Sequence, residues 1–343
     1  MKKNLKIQLC RRSDIKNIFE RVNDFPNNLK ENNIKKKILL RSLKKLYNQS
    51  KLYLIITDNI KVGFMIKNLR KHVSFLDFFS YSLKYLNISD LKKLKIIHPS
   101  KPLDRSYYLN KSIESHSLSN KKIEIKSERK KKILKILILG PNLRNINIKK
   151  KLISDGYKVD ILKKKIDLKK IKNNNYDFLI SSGYPFKINK KIVSNFRNKI
   201  INLHATFLPW GKGIGTTFFS FLLFQPLGLS IHYINKEFDM GNIICRFKFK
   251  ENRNDTTRTL YSKLLKKLEK FFIENSKKIL ENELITLSQK KQIFKPQYYS
   301  REEFEKIIRY LPNGYDTKVL DLIVHGLIIR ENLKFINFLN SWK

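Results

Sequence analysis

The feature that most constrains the fold is a regular alternation of apolar runs and amphipathic segments in the second part of the chain. Four runs have the length and residue types of β-strands: ILKILILG (133–140), YKVDIL (157–162), YDFLIS (176–181) and KIINLH (199–204). Segments with helical spacing of apolar side chains separate them. Strands that alternate with helices indicate βαβ units, so we expect an α/β, Rossmann-like, doubly wound and mostly parallel sheet. Ligands of such sheets bind outside the carboxyl ends of the strands.

The part of the chain before this sheet has a different pattern. Residues 13–22 and 34–48 have helical spacing, and residues 50–68 have the pattern of a β-hairpin. We therefore expect a small α/β domain over residues 1–128, to which the sequence assigns no role. A basic run at 126–132 marks its end.

The remaining chain divides into a larger domain and a short tail. The expected Rossmann-like domain covers residues 129–295. Residues 296–343 contain two runs with helical spacing, SREEFEKIIRY and DTKVLDLIVHGLIIR, and are expected to form a helical C-terminal segment.

A net charge of +44 suggests a nucleic-acid partner at first sight. However, residues 1–132 carry 33 Lys and Arg against 11 Asp and Glu, and residues 133–343 carry 40 against 18, so each part has +22. The charge is spread along the chain together with an excess of Lys, Ile and Asn, which favours a compositional bias over a nucleic-acid surface. The alternative, a functional anion-binding surface, stays open, and the positive field favours anionic ligands in either case.

Cysteine content and apolar content argue against several other classes. Cys10 and Cys245 have no motif spacing, so we predict neither a metal site nor a disulfide framework. The basic N-terminus is not followed by an apolar core, and no signal peptide is predicted. The most apolar stretch, 214–234, is interrupted by polar residues, glycine and proline, so no membrane span is predicted and we expect a cytoplasmic protein.

The stretch INLHATFLPWGKGIGTTFF (201–219) holds three glycines within five positions. Neither a dinucleotide fingerprint nor a Walker loop matches it, because GKGIG follows the fourth strand and the string G-x-x-x-x-G-K-[ST] is absent. A bend ahead of the next helix and a phosphate cradle are the two interpretations left.

A candidate catalytic group surrounds the same strand. His204 ends the strand IINLH, and Asn202 lies two residues earlier, so both side chains leave the same face. Asp239, in KEFDMGNII, is expected in a loop just before another strand. Together the three side chains supply a hydrogen-bond donor, a base and a carboxylate that orients the base.

The order N-L-H-x-x-x-L-P, a glycine-bearing segment, an apolar helix, S-I-H-Y-I and D-x-G-x-I-I resembles the formyltransferase family that uses 10-formyltetrahydrofolate. The resemblance covers about residues 133–295. It implies that Asn202, His204 and Asp239 are catalytic and that no metal is needed. It departs from the family at Glu237 and Met240, where Gly and Thr are frequent.

The resemblance also implies binding residues. The loop SSGYPFKIN (181–189) corresponds to a folate-binding loop, which makes Gly183, Tyr184 and Pro185 candidates for binding the co-substrate. In the family loop LP-x-x-[RK]-G, Lys212 and Gly213 are candidates for binding the acceptor substrate. Trp210 is a further candidate, because it can stack on a base or sugar.

Three acceptors are compatible with the family. The segments FLPWGKG and TTFFSFLLFQPLGLSIHYI resemble those of nucleotide-sugar formyltransferases, so the resemblance favours an N-formyltransferase for an amino sugar, nucleotide-linked and used for surface polysaccharide or lipopolysaccharide biosynthesis. A methionyl-tRNA formyltransferase and a non-catalytic member that binds a sugar nucleotide or RNA are the alternatives. Glycinamide ribonucleotide formyltransferases, which use the third acceptor, lack an N-terminal extension like residues 1–128. The family resemblance also implies a homodimer.

Overall fold

The computed structural model describes residues 5–23, 36–57, 60–67, 71–74, 133–281, 284–289, 298–311 and 313–341. The proposed domain boundaries, after residues 128 and 295, lie outside these residues. In the described residues the strands are β1 (Leu5–Leu9), β2 (Leu52–Thr57), β3 (Ile60–Ile66), β4 (Lys71–Ser74), β5 (Lys135–Leu139), β6 (Lys158–Leu162), β7 (Phe178–Ser181), β8 (Ile200–His204), β9 (Lys212–Gly213), β10 (Gly228–Tyr233), β11 (Ile243–Lys248) and β12 (Tyr298–Tyr299).

The helices of the described residues follow the predicted pattern closely. They are α1 (Arg12–Asn23), α2 (Lys36–Asn48), α3 (Asn142–Ser154), α4 (Leu168–Asn173), α5 (Lys190–Asn195), α6 (Thr216–Leu222), α7 (Thr257–Leu280), α8 (Arg301–Tyr310) and α9 (Val319–Ser341), with a short 3-10 turn at Gly314–Asp316. The two helices expected near the N-terminus, the hairpin that follows them and the four strands of the alternating region are all confirmed.

The chain forms two compact units. The first combines Met1–Ser112, Phe221–Phe224 and Tyr299–Lys343, and the second combines Ile113–Ser220 and Gln225–Tyr298. The C-terminal helices therefore belong to the same unit as the N-terminal residues. None of the described helices is both long enough and apolar enough to cross a bilayer.

The first unit contains an antiparallel sheet in the order β1-β2-β3-β4. One face of this sheet packs against α1 and α2 through a buried apolar cluster that includes Ile18, Leu43, Leu54 and Phe64. The long helix α9 contacts α2 and β4. Apolar side chains at helical spacing on one side and at alternate strand positions on the other are sufficient to build this layer.

The second unit contains a six-stranded sheet in the order β11-β10-β8-β7-β5-β6. Strands β6, β5, β7 and β8 are parallel, whereas β10 is antiparallel to β8 and to β11. The chain leaves β5 first toward β6 on one side and then toward β7 on the other. The direction of winding therefore changes between β5 and β7, where ligands bind in doubly wound sheets.

Alternate residues of β5 explain why helices cover both faces of this sheet. Ile136 and Ile138 pack in one buried cluster with residues of α3 and α7. Leu137 and Leu139 pack in another cluster with residues of α4 and α5. Because successive side chains of a strand point to opposite faces, the continuous apolar run of β5 requires cover on both sides. The predicted Rossmann-like fold is thus confirmed.

Candidate active site

The strand β8 positions two of the predicted catalytic residues at the carboxyl edge of the sheet. Ile201 and Leu203 point into the cluster under α3 and α7. Asn202 and His204, at the alternate positions, therefore share the opposite face, as predicted. Both are only partly exposed, and the antiparallel partner β10 places His232 directly opposite Asn202.

The third predicted residue, Asp239, reaches these side chains from the loop before β11. Its Oδ2 lies 3.4 Å from Nε2 of His204, and its Oδ1 is 3.5 Å from Nδ2 of Asn202. The backbone amide of Gly213 donates a hydrogen bond to Oδ2 over 3.2 Å. The structure thus brings together Asn202, His204, Asp239 and Gly213, which are 37 residues apart at most.

The backbone of Asp239 is held in an uncommon conformation. Its φ of 49° lies in the left-handed region, which Asp tolerates better than most residues. The buried side chain of Gln289 donates to the carbonyl oxygens of Asp239 and Gly241, over 2.9 and 2.7 Å. A Cβ on Gly241 would lie only 1.7 Å from the carbonyl oxygen of Tyr233, so only glycine fits there. The D-M-G segment is therefore fixed against β10.

His232 is a site residue that sequence reasoning missed. Its Nε2 lies 3.3 Å from Nδ2 of Asn202 and 3.6 Å from Oδ1 of Asp239. Its Nδ1 lies 2.8 Å from the carbonyl oxygen of Tyr233, which can only accept, so Nδ1 carries a proton. A fully buried histidine within the apolar strand GLSIHY was the available signal, but its partner follows only from the β8–β10 register.

The electrostatics of the site favour an uncharged His204 beside an ionised Asp239. Burial lowers the pKa of His204 below its ordinary value, and the opposing attraction of Asp239 does not overcome this. Arg144 and His232 lower the pKa of His204 further. Burial by itself would raise the pKa of Asp239, but the two imidazoles and the Gly213 amide hold it well below its usual range.

One nitrogen of His204 has the environment expected of a proton acceptor. Nε2 is buried and, among the described residues, makes no hydrogen bond; Oδ2 of Asp239 lies 3.4 Å away but not in hydrogen-bond geometry. Buried polar atoms are normally satisfied, and an unsatisfied one at a ligand-binding edge indicates that a ligand supplies the partner. A neutral imidazole with a free nitrogen can accept a proton.

The predicted acceptor-binding residues lie on the segment that follows β8. Trp210 is half-buried, and its ring stacks on that of Phe207 at a centroid distance of 5.9 Å. Lys212 is 3% exposed, and its Nζ contacts the sulfur atom of Met240. Burial lowers the pKa of Lys212 to about 8, although Asp239 and Glu237 act in the opposite direction. The Lys212 ammonium therefore lies in the field of Asp239.

The predicted folate-binding residues lie at the end of β7, beside the change in winding. Gly183 has a φ of 71°, and a Cβ there would lie 2.6 Å from the Arg144 guanidinium. Tyr184 uses its hydroxyl within the protein: it accepts from the amide of Ile166 over 2.7 Å and donates to the carbonyl of Lys164. Pro185 is exposed. Arg144, which sequence reasoning also missed, lies against Gly183, and its charge lowers the pKa of His204.

No three His, Cys, Asp or Glu side chains in the described part of the chain are grouped closely enough to hold a metal ion.

The family model described as "Formyl transferase" matches residues 94–275, more than half of the chain. The chain therefore belongs to the formyl transferase family, as its motifs predicted.

Methionyl-tRNA formyltransferase of Buchnera aphidicola subsp. Acyrthosiphon pisum is 33% identical over 149 residues, which cover 39% of this chain and 47% of that protein. Chloroplastic phosphoribosylglycinamide formyltransferase of Arabidopsis thaliana is 31% identical over 104 residues, covering 29% of this chain and 36% of that protein. The chain spans about half the length, or less, of these curated relatives.

A solved structure is similar over almost its whole length. The formyltransferase PseJ from Anoxybacillus kamchatkensis has 36% sequence identity and a TM-score of 0.52, and the match covers 56% of this chain and 99% of that one. That protein was solved in complex with UDP-4,6-dideoxy-4-formamido-L-AltNAc and tetrahydrofolate.

Proposed function

We propose that this protein transfers a formyl group from 10-formyltetrahydrofolate to the primary amine of a nucleotide-linked amino sugar. The observation that carries the proposal is the group formed by Asn202, His204 and Asp239 at the carboxyl edge of the sheet, with an unsatisfied buried nitrogen on His204. Family membership supports the reaction class.

The geometry suits attack of an amine on a formyl group. The amine nitrogen bonds to the formyl carbon, the bond from that carbon to the folate nitrogen breaks, and one proton passes from the amine to the leaving nitrogen. Because burial lowers its pKa, His204 is neutral. Its Nε2 can therefore accept the amine proton. Ionised Asp239 then stabilises the imidazolium that forms.

The tetrahedral stage of this reaction places negative charge on the former formyl oxygen. The side-chain amide of Asn202 is a donor at the right edge of the sheet, and protonated His204 is a second. Nε2 of His232 lies 3.3 Å from that amide nitrogen and helps to orient it. His232 is therefore a positioning residue in this proposal.

The surroundings fit a flat aromatic co-substrate. The two loops next to Asp239 and Gly183 carry Phe238 and Phe186, which are 48% and 43% exposed. Lys187 extends from the same loop as Gly183 to the ring of Phe238, at 5.0 Å from its centroid. Exposed rings beside a catalytic edge favour stacking with an aromatic ligand. We assign the backbone of Gly183, Tyr184 and Pro185 to folate binding on this side.

For the acceptor, two observations favour a nucleotide-linked sugar. PseJ, which carries a UDP-linked formamido sugar, is matched over 99% of its length. Lys212 places a buried ammonium next to Asp239 with a thioether as its neighbour, and a phosphate would be a stronger partner. Trp210 and Gly213 complete the proposed acceptor contacts.

A methionyl-tRNA acceptor is the second candidate, because a curated relative at 33% identity is a methionyl-tRNA formyltransferase and the chain carries +44 net charge.

The test is a panel of UDP- and dTDP-linked amino sugars, methionyl-tRNA and glycinamide ribonucleotide, each incubated with 10-formyltetrahydrofolate and the whole chain. Mass spectrometry detects the added formyl group.

We expect formylation of a nucleotide-linked amino sugar and of no other acceptor in the panel. Formylation of methionyl-tRNA alone would replace the proposed acceptor and leave the proposed reaction. Binding of a sugar nucleotide with no transfer to any acceptor would instead indicate the non-catalytic alternative.

The cellular setting of this reaction is part of the same proposal. A formylated nucleotide sugar is a donor for surface polysaccharide or lipopolysaccharide biosynthesis, and we propose a cytoplasmic location and a homodimer. Cys10 and Cys245 are free, buried thiols, which is consistent with a reducing compartment.

A further inference from the structure

Three buried or partly buried side chains form a row across the strands at the catalytic edge. Ser230 of β10 pairs with His204 of β8 on one side and with Arg246 of β11 on the other. Directly paired residues of antiparallel strands point to the same face of a sheet. Ser230 therefore lies beside His204, and Arg246 lies beside Ser230 on the far side, under the segment that continues from β8. We call residues 205–213 the acceptor segment.

The Ser230 hydroxyl makes two hydrogen bonds to the backbone of the acceptor segment. It donates to the carbonyl oxygen of Thr206 over 2.7 Å and accepts from the amide of Leu208 over 3.0 Å. Ser230 is completely buried. Since a buried loop must satisfy its backbone groups without water, this hydroxyl holds two groups that would otherwise be unpaired.

The Arg246 guanidinium holds the same segment from the next strand. Its Nη1 donates to the carbonyl oxygen of Leu208 over 2.7 Å, and the group lies 4.6 Å from the ring centroid of Phe207. Phe207 in turn stacks on Trp210. Thr206 adds a hydrogen bond from its hydroxyl to the carbonyl of Trp210 over 3.2 Å. These contacts connect Arg246 to the exposed part of the segment.

A buried Arg246 is costly and therefore informative. The residue is 6% exposed, its Nε makes no hydrogen bond, and no carboxylate pairs with it within the described ranges. A buried charge without a counter-charge destabilises a fold. Such a residue is therefore expected where its contacts have a specific role. Within the described part of the chain, the one side-chain hydrogen bond of Arg246 is to the acceptor segment, so holding that segment accounts for its presence.

We propose that Ser230 and Arg246 are positioning residues for the acceptor: together they fix the acceptor segment, which carries Trp210 and Lys212 and reaches the catalytic group through the hydrogen bond of the Gly213 amide to Asp239. The inference rests on the proposed function in one respect, namely that this segment binds the acceptor and the loop at Gly183 binds the folate. Weakening the row consequently affects acceptor binding and leaves folate binding unchanged.

The test uses the full chain with Ser230→Ala and, separately, Arg246→Met. Ser276→Ala is the matched control, because Ser276 is also buried and, among the described residues, its hydroxyl donates within its own helix, to the carbonyl of Ile273. Steady-state kinetics give KM for the amino-sugar nucleotide and KM for 10-formyltetrahydrofolate separately. We expect KM for the acceptor to rise about tenfold in both variants, with KM for the folate within about twofold of wild type. Arg246→Lys should recover part of the loss, and the control should match wild type.

A second measurement is independent of catalysis. The chain has two tryptophans, Trp210 and Trp342, so in a Trp342→Phe background fluorescence reports Trp210 alone. We expect acrylamide to quench Trp210 more strongly in Ser230→Ala and Arg246→Met than in Ser276→Ala.

The outcomes separate this inference from the proposed function. Unchanged quenching of Trp210 in Ser230→Ala, or an equal rise of both KM values, would overturn the positioning role. Increased quenching in a protein that formylates no acceptor would support the positioning role while refuting the proposed function. If Arg246→Met does not fold, the Ser230→Ala result decides the question.

Discussion

Two aspartates with lowered pKa values, one in each unit, differ in how tightly they are held. In the first unit, Asp14 accepts from the Lys61 ammonium over 2.6 Å and from the amide of Arg11 over 2.8 Å. In the second unit, Asp239 lies 3.2 to 3.6 Å from each of its partners. Short hydrogen bonds from an ammonium group and a backbone amide favour the ionised form of Asp14.

The difference shows how a structural carboxylate can be told from a functional one. Asp14 completes a helix start and an ion pair, and both oxygens are used. Asp239 is surrounded by two weak bases, one amide and one backbone donor, so a change in the charge of His204 alters its environment strongly. A low pKa alone does not identify a catalytic group, because structural pairs lower pKa values as well.

The comparison is tested most severely by removing the charge of Asp239 or the base itself. We expect Asp239→Asn and His204→Ala each to lower kcat/KM for formyl transfer by about 10²- to 10⁴-fold, because proton acceptance and its stabilisation are both lost. Both variants should remain folded, which a cooperative thermal unfolding transition would show. Retained turnover in either purified variant would remove that residue from the proposed mechanism.

A smaller effect is expected at Lys212, whose pKa of about 8 makes its charge pH-dependent. Burial disfavours the ammonium, so Lys212 is charged below about pH 8 and neutral above it. KM for a phosphate-bearing acceptor should therefore rise as the pH increases through 8. Lys212→Arg should abolish this rise, because arginine stays charged. An identical rise in Lys212→Arg would show that another group binds the phosphate.

A more subtle effect is expected at Arg144, which lowers the pKa of His204 through its charge. Arg144→Gln should raise that pKa, so the acid limb of the kcat/KM profile should move to higher pH. The rate on the plateau above this limb should change little. Lys150→Gln, an exposed charge removed from the same helix, is the control and should leave the limb in place. An acid limb that does not move in Arg144→Gln would show that Arg144 does not affect the protonation of His204.

At Asp14 we expect no effect on catalysis and an effect on stability alone. Asp14→Asn should lower the free energy of unfolding by about 1–2 kcal/mol, discounted because Lys61 is partly exposed and can be hydrated. Because the folded pKa of Asp14 is lowered from 3.8, this difference is complete above about pH 4 and disappears as the pH falls through the folded value. Urea unfolding at pH 7 and at pH 3 measures it, and a loss of formyl transfer in the folded variant would contradict the structural role.

Much of the fold of the second unit could be predicted from the local pattern of apolar residues. The apolar run at β5 predicted a strand of a doubly wound sheet, and in the structure Ile136 and Leu137 pack on opposite sides of it. Asn202 and His204 were predicted to share a face from their spacing alone. The grouping of α9 with α2 and β4 was not predicted, because helical spacing shows that a helix has an apolar face and not which part of the chain covers it.

The sequence by itself determined the alternation of strands and helices, the family, and the three residues on which the proposed chemistry depends. Only the tertiary structure decided what surrounds them. His232 lies opposite Asn202, Ser230 lies between His204 and Arg246, and Gln289 holds the turn at Asp239. These relations depend on strand register and on long-range packing. Residues distant in the chain become neighbours only when the sheet forms, so no local pattern can encode them.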